Sequence, residues 1–234
     1  MNYTIIYDKE TVQEFIEFLP DLTEHETYYL TLLSRNKYTK DPINSHTTPL
    51  KRLTSDKKHM MQNIMQLECP IGSYTKDGVS VEPESLALYI TTNPRCKRKA
   101  MFGLLSEIAT NLKNNCTTYN PMSDTLTCIN RAKSRSIFVT FDIDNKVNID
   151  SHIYKIWDTV GQDAVAAIET HGGYHVLIRP DKVVAKQKDW YRIIDLYLSD
   201  KGVDQTGDIL SPVPGTLQGN FKVTLSRQVQ FKNH

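Results

Sequence analysis

The stretch IFVTFDID, residues 137–144, decides how this chain is interpreted, because an apolar run ends there in two carboxylates one residue apart. Side chains alternate across a β-strand, so Asp142 and Asp144 leave one face of the predicted strand while Ile143 points to the other. Two like charges on one face repel each other unless a cation lies between them. Hard divalent cations such as Mg²⁺ bind such carboxylates together with water and phosphate. The stretch therefore predicts a metal site for phosphate chemistry.

A second stretch, THGGYHVLI at residues 170–178, follows the first after one predicted helix. The pair Gly172 and Gly173 between two apolar runs predicts a β-hairpin turn, since glycine accepts positive φ. A strand and a hairpin joined by one helix can be neighbours in a sheet, so His175 is expected beside the carboxylates. A lone strand histidine is more often a core residue. Here the imidazole would have a task, donating a hydrogen bond to phosphate oxygens, and the glycines would let the backbone approach a ligand.

The rest of the chain predicts an α+β fold with two lobes, an N-terminal α/β lobe at residues 1–130 and a C-terminal lobe at 131–234, joined as one integrated domain. A segment rich in Asn, Thr and Pro, residues 114–130, is interpreted as a long loop or the lobe boundary. The second lobe predicts strand, helix, hairpin, helix and strand, the layout of a ferredoxin-like or RNA-recognition-type palm. Apolar spacing predicts the individual elements: helices at 8–19, 54–67, 99–111, 150–160 and 186–198, strands at 25–34, 86–92 and 137–142, and an extended stretch at 208–225.

Composition and charge exclude several classes of protein. The chain has 234 residues and a formal net charge of +1, so any surface for nucleic acid must be a local one. The N-terminus lacks a signal-peptide pattern and no apolar run is long enough to cross a bilayer. We therefore expect an intracellular protein, cytoplasmic or nucleoid-associated, without membrane contact. The four cysteines form no Cys-x-x-Cys pair, which argues against a zinc module.

A third block lies downstream, where residues 214–217, Pro-Gly-Thr-Leu, follow the two carboxylates Asp204 and Asp208. In order and spacing, the three blocks together resemble the archaeo-eukaryotic primase superfamily, which includes primase-polymerases and small primase subunits. That family's pattern is an apolar strand ending in Asp-x-Asp/Glu, a small-residue turn leading into an x-His strand, and a third acidic residue before Arg-x-Pro-Gly-Ser/Thr-Leu-His/Asn-x-Lys. The resemblance covers roughly the last hundred residues.

The third block departs from the family pattern at several positions. Val213, or Ser211 in another register, stands in place of the arginine, and Gln218 stands in place of histidine or asparagine. The lysine arrives late, as Lys222. Another cation would have to bind phosphate there, and the candidates are Arg135, Arg179, Lys222 and Arg227.

The resemblance implies a palm-like archaeo-eukaryotic primase fold and a template-directed nucleotidyltransferase, a DNA primase and/or DNA polymerase. It implies two Mg²⁺ or Mn²⁺ ions held by Asp142, Asp144 and one of Asp204 and Asp208. The residues implied to bind the nucleoside triphosphate are Thr170, Gly172, Gly173, His175, Arg179 and Lys222. The implied template is single-stranded or primed DNA. Because the chain contains no Walker-type motif, a separate helicase or replication protein would unwind it.

Contacts to nucleic acid are expected in the N-terminal half. Arg35, Lys37 and Tyr38 directly follow a predicted strand and combine positive charge with a ring that can stack on a base. Arg52 and Arg95 are further basic candidates.

Other functions remain open on the sequence. The same fold could serve a nucleotide- or nucleic-acid-binding replication protein of low activity, and paired carboxylates with a histidine also serve metal-dependent nucleases. A glycosyltransferase using Asp-x-Asp is less favoured because it does not explain residues 214–217. A rolling-circle nuclease is disfavoured because His171 and His175 would lie about 13 Å apart on one strand.

Overall fold

The computed structural model is a mixed α+β structure with antiparallel sheets, as the sequence predicts. It describes residues 1–35, 38, 47–116, 120–144, 149–184, 190–192, 194, 203–206 and 209–226. Among these described residues, no helix is both long and apolar enough to cross a membrane.

The N-terminal part begins with a helix whose end is set by local chemistry. The Asp8 side chain accepts hydrogen bonds from the backbone N–H groups of Glu10 and Thr11 and so caps the first helix, α1. The elements of this part are α1 (Lys9–Phe18), β1 (Glu26–Arg35), β2 (Thr47–Ser55), α2 (Lys57–Met65), β3 (Thr75–Lys76), β4 (Val79–Ser80), β5 (Leu86–Thr91), β6 (Arg95–Cys96), α3 (Lys97–Lys113) and α4 (Pro121–Arg131).

The C-terminal part starts with the strand that carries the carboxylates. Its elements are β7 (Val139–Ile143), α5 (Ile149–Val160), β8 (Val165–Glu169), β9 (Tyr174–Ile178), β10 (Val203–Thr206), β11 (Leu210–Pro212), β12 (Leu217–Gln218), β13 (Phe221–Lys222) and β14 (Thr224–Ser226). Residues 190–192 and 194 are helical as well. The extended stretch expected at 208–225 is therefore a series of short strands joined by turns.

Strand β7 lies inside a five-stranded sheet with the order β10-β7-β9-β8-β14. All neighbouring strands of this sheet are antiparallel. Along the chain, β7, α5, the β8–β9 hairpin, the helical residues 190–192 and 194, and β10 follow one another in the predicted order of strand, helix, hairpin, helix and strand. Strand β9 lies between β7 and β8, because the α5 crossover leaves a gap beside β7 that the second strand of the hairpin fills.

The other large sheet combines strands from both ends of the chain. Its main path is β13-β12-β5-β1-β2, with β11 also pairing with β5 and β6 with β1. The last strand, β14, returns to the five-stranded sheet and pairs with β8. The strands after residue 209 therefore belong to both sheets. Through β11 and β12, the C-terminal part forms backbone hydrogen bonds with β5 of the N-terminal part.

The main core lies between the two sheets. Tyr28, Leu30 and Ile90 of the first sheet belong to the same buried cluster as Ile168 and Leu177 of the second. Full burial of each such side chain contributes about 1.5–3 kcal/mol. A smaller core fills the space between the opposite face of the second sheet and helix α5. Alternation along β7 and β9 thus divides their side chains between two apolar layers.

One expectation for the neighbouring helices α3 and α4 was wrong. Helix α4 occupies residues 121–131, where the sequence analysis expected a loop, because Asn120 caps it and Pro121 suits the first helical position. Helix α3 has the expected amphipathic pattern, but its stripe is exposed: Phe102 and Leu105 are each 62% exposed. Of the residues of α3, only Ala100 is buried.

Candidate active site

The first carboxylate and the histidine meet on neighbouring strands. Asp142 of β7 and His175 of β9 are direct register partners, and paired residues of antiparallel strands project to the same face. His175 Nε2 lies 3.4 Å from Asp142 Oδ1. Their face is the one that carries Leu177 and Ile168 toward the first sheet. The predicted neighbourhood of carboxylate and imidazole is therefore present, at the edge of the core between the sheets.

His175 also contacts the first sheet. Its Nδ1 lies 3.1 Å from the hydroxyl of Ser211, a fully buried residue of β11. Burial lowers the pKa of His175 to about 4, so the ring is neutral near pH 7. Because Nε2 faces a carboxylate oxygen, we assign the ring proton to Nε2, and Nδ1 then accepts from the Ser211 hydroxyl. The imidazole thereby joins the two sheets beside Asp142.

The other predicted carboxylates differ in how the structure places them. Asp144 is exposed and directly follows β7. The backbone of Asp204 on β10 is the register partner of Asp142 on the side away from His175. Asp208 lies outside the described residues. Three neighbouring strands therefore bring the backbones of Asp204, Asp142 and His175 into one row across the sheet.

The carboxylates of Asp142 and Asp144 are chemically suited to a hard divalent cation. The side chain of Asp142 is 33% exposed, so its carboxylate can reach a ligand from solvent, and Asp144 is exposed beside it. Carboxylate oxygens are the ligands that Mg²⁺ and Mn²⁺ prefer. Among the side chains that the structure describes, no group of three His, Cys, Asp or Glu is arranged to hold a metal ion. Asp208 and the side chain of Asp204 are not among them.

The hairpin turn uses its glycines differently from the prediction. A Cβ atom on Gly173 would overlap the carbonyl oxygen of Ile143, so this glycine lets the turn pack against the end of β7. A Cβ on Gly172 would meet nothing within 4 Å. Neither glycine has a positive φ, so the argument from left-handed backbone was wrong. Thr170 closes the turn, with Oγ1 3.1 Å from both the N–H and the carbonyl oxygen of Gly173.

Gln218, which replaces the family's histidine or asparagine, also holds this turn. Its Oε1 accepts a hydrogen bond of 2.7 Å from the backbone N–H of His171. Its Nε2 donates to the Tyr89 hydroxyl at 2.8 Å, and Arg35 Nη1 donates to the same hydroxyl. Gln218 therefore connects the β8–β9 turn to strands β5 and β1. Neither this link nor the one from Ser211 to His175 was predicted, because both depend on strand pairing over long sequence distances.

The Pro-Gly-Thr-Leu block is a turn that packs on the first helix. Gly215 has φ +81°, and a Cβ there would collide with the backbone of Asp8 and the side chain of Val12. Its carbonyl accepts hydrogen bonds from the N–H groups of Tyr7 and Asp8. These contacts give the conformational reason for a glycine at this position.

The predicted phosphate-binding cations that the structure describes do not all lie together. Arg179 follows the opposite end of β9 from the glycine turn and forms an ion pair of 2.6 Å with Asp181. It lines a cavity of about 560 Å³ together with Arg135 and Lys57. Lys222 is exposed, with its ammonium 5.4 Å from the centre of the Tyr7 ring. Arg227 lies outside the described residues.

The residues predicted to contact nucleic acid also have different surroundings. Arg35 and Tyr38 are neighbours, with Arg35 Nη1 3.3 Å from the Tyr38 hydroxyl, while Lys37 lies outside the described residues. Arg52 donates hydrogen bonds to Thr127 and Ser123 of α4, at 3.1 and 3.0 Å. Arg95 is 3% exposed and offers almost no surface to a ligand.

Comparison of the chain with protein-family models, with curated proteins and with solved structures found no match.

Proposed function

We propose that this protein is a template-directed nucleotidyltransferase, a DNA primase and/or DNA polymerase, whose active site lies around Asp142 and His175. The observation that carries the proposal is the row of Asp204, Asp142 and His175 backbones on three adjacent strands, with a 3.4 Å contact between Asp142 and His175 side chains. Such a row brings two aspartates and an imidazole onto neighbouring strands at the edge of the core between the sheets.

The order of elements supports the proposal as well. Strand, helix, hairpin, helix and strand, with β7 and β9 central, is the β-α-β-β-α-β arrangement of a ferredoxin-like palm. The three sequence blocks that resemble the archaeo-eukaryotic primase superfamily fall on β7, on the turn and strand β9, and on the β10–β12 region. We propose this palm as the catalytic part of a primase-type fold.

In the proposed mechanism, Asp142, Asp144 and Asp204 would hold Mg²⁺ or Mn²⁺. Bound metal ions would neutralise charge on the triphosphate and on the 3′-oxygen as it loses its proton. The chain's own residues position these groups. His175 keeps Asp142 in place through Nε2, and Ser211 orients the ring from the other sheet. As in other phosphoryl transfers, positioning and charge neutralisation account for most of the catalysis.

Primer extension tests the proposal. Asp142→Asn combined with Asp144→Asn should abolish nucleotide incorporation on primed DNA with Mn²⁺, because the amides keep the shape and remove the charges. Asp158→Asn is the matched control, since Asp158 is an exposed carboxylate on α5, which packs on the opposite face of the sheet. Thermal unfolding should show all variants folded.

The outcomes separate the function classes. Extension by the wild type and its loss in the double variant support the proposal, and products formed without a primer would assign primase activity. Shortened DNA would indicate a metal-dependent nuclease. Unchanged extension by the double variant would remove these carboxylates from the mechanism.

A replication protein of low activity that binds nucleotide or nucleic acid is the second candidate. Gln218 favours it, because both ends of its amide already hold protein groups, His171 and Tyr89, at the position where the family has His or Asn. Binding of nucleotide and DNA without incorporation would select this function.

A further inference from the structure

Three aromatic rings form a row at the tip of the β8–β9 hairpin. The ring centres of Tyr38 and His171 are 5.0 Å apart, and those of His171 and Phe221 are 6.0 Å apart. We call Tyr38, His171 and Phe221 the aromatic row. His171 is exposed, and the other two rings are partly exposed. Exposed and partly exposed rings in one row offer apolar faces on which a flat ligand can stack.

The aromatic row is held in place by its surroundings. The backbone N–H of His171 donates to Gln218, which is itself buried and bonded to Tyr89. Tyr38 packs directly on Gly219, where a Cβ would lie 2.9 Å from the Cβ of Tyr38. A surface positioned in advance loses little conformational freedom when a ligand binds.

A cation lies at one end of the aromatic row. The guanidinium of Arg35 is 5.5 Å from the centre of the Tyr38 ring and 5.6 Å from that of Tyr89. Rings next to a guanidinium are the combination with which proteins bind unpaired bases and the phosphates between them.

The aromatic row also adjoins the carboxylates. His171 belongs to the same turn as Gly173, whose backbone packs against Ile143 and Asp144 at the end of β7. Gly172 lies between them and faces open space. A nucleic-acid strand bound on the rings would therefore lie close to the end of the sheet that carries the carboxylates.

We infer that the aromatic row is a stacking platform for unpaired bases of single-stranded DNA beside the carboxylates. This inference rests on the proposed function and assigns the strand-binding part of the same site. A stacked base could also belong to a nucleoside triphosphate, and the experiment distinguishes the two sources.

The experiment measures fluorescence anisotropy of a labelled 15-nucleotide oligo-dT in EDTA, so that metal plays no part. His171→Ala and Phe221→Leu should each weaken binding at least about fivefold, as loss of one stacked ring does elsewhere. His171→Phe, which keeps a ring and the backbone hydrogen bond, should retain most of the affinity. Unchanged binding by both ring-removing variants would overturn the inference. So would displacement of the oligomer by dTTP from the wild type and not from His171→Ala, since the base would then be that of the nucleotide.

Phe102 on α3 provides the matched control. It is an exposed ring 6.0 Å from the guanidinium of Arg98, so its chemistry resembles that of the row. Phe102→Ala should bind like the wild type, and an equal loss there would overturn the inference. Because binding is measured without turnover, the failure of this inference can be told apart from failure of the proposed function. If the Asp142→Asn, Asp144→Asn variant loses primer extension while His171→Ala binds oligo-dT normally, the stacking platform is rejected and the proposed function is not.

Discussion

The two ends of strand β9 differ in how their charges are arranged. At the turn end, His175 is neutral and contacts a carboxylate that is one-third exposed. At the other end, Arg179 forms two hydrogen bonds with Asp181, at 3.1 and 2.6 Å. The two ends lie about 13 Å apart along the strand. Residue type alone assigned Arg179 to the same site as His175, and the length of one strand separates them.

The cavity end also contains Arg135, which forms an ion pair of 3.0 Å with the buried carboxylate of Glu26. Burial by itself would raise the pKa of Glu26, but hydrogen bonds from the Thr23 N–H, Ser134 and Arg135 outweigh it and lower that pKa. The comparison teaches that charges matched by opposite charges hold the fold, whereas carboxylates gathered on one strand suggest chemistry.

The largest effect on stability is expected at the ion pair of Arg135 with the buried Glu26. Arg135→Met should lower the free energy of unfolding by about 3 kcal/mol, because it leaves the nearly buried carboxylate of Glu26 without its cation. Arg179→Met, the matched control in the same cavity, should cost less than about 1 kcal/mol, since Asp181 can be hydrated. Urea unfolding measures both. Equal losses would contradict the distinction between the two pairs.

The turn end can be tested through its two glycines. Gly173→Ala should destabilise the protein by about 2 kcal/mol, because the new methyl group would overlap the carbonyl oxygen of Ile143. Gly172→Ala should be nearly neutral, since a Cβ there meets nothing within 4 Å. Thermal unfolding of the two variants compares them directly. If both alanines are tolerated alike, the turn does not pack on β7 as described.

A smaller effect is expected from pH. The pKa of His175 is lowered to about 4 from an ordinary 6.5, so its contribution to stability is complete above pH 6.5 and is lost as the pH falls toward 4. At pH 5.5 the loss should be roughly 1.4 kcal/mol. Urea unfolding at pH 8 and 5.5 in EDTA should show this extra loss in the wild type and not in His175→Gln. Parallel behaviour of the two proteins would show that the ring is not buried in neutral form.

Several features of the site were predictable from local pattern. The apolar run predicted the strand that carries Asp142, with Asp144 directly after it, and the turn at Gly172 and Gly173 was predictable from the two apolar runs around it. The exposure of the apolar residues of α3 was not, because an amphipathic pattern does not reveal whether a partner surface exists. The helix at 121–131 was missed because Asn120 and Pro121 were interpreted as loop residues. Asn120 is in fact the N-cap of this helix, and Pro121 is its first residue.

The sequence by itself determined which residues form the β7 strand and the hairpin, since side-chain alternation and turn chemistry act over a few residues. The tertiary structure decided that Asp142 lies opposite His175 and the backbone of Asp204, that Ser211 reaches the imidazole, and that Gln218 holds the turn. Strand register and sheet packing join residues up to 62 positions apart in this row, as with Asp204 and Asp142, and no local pattern specifies such pairings.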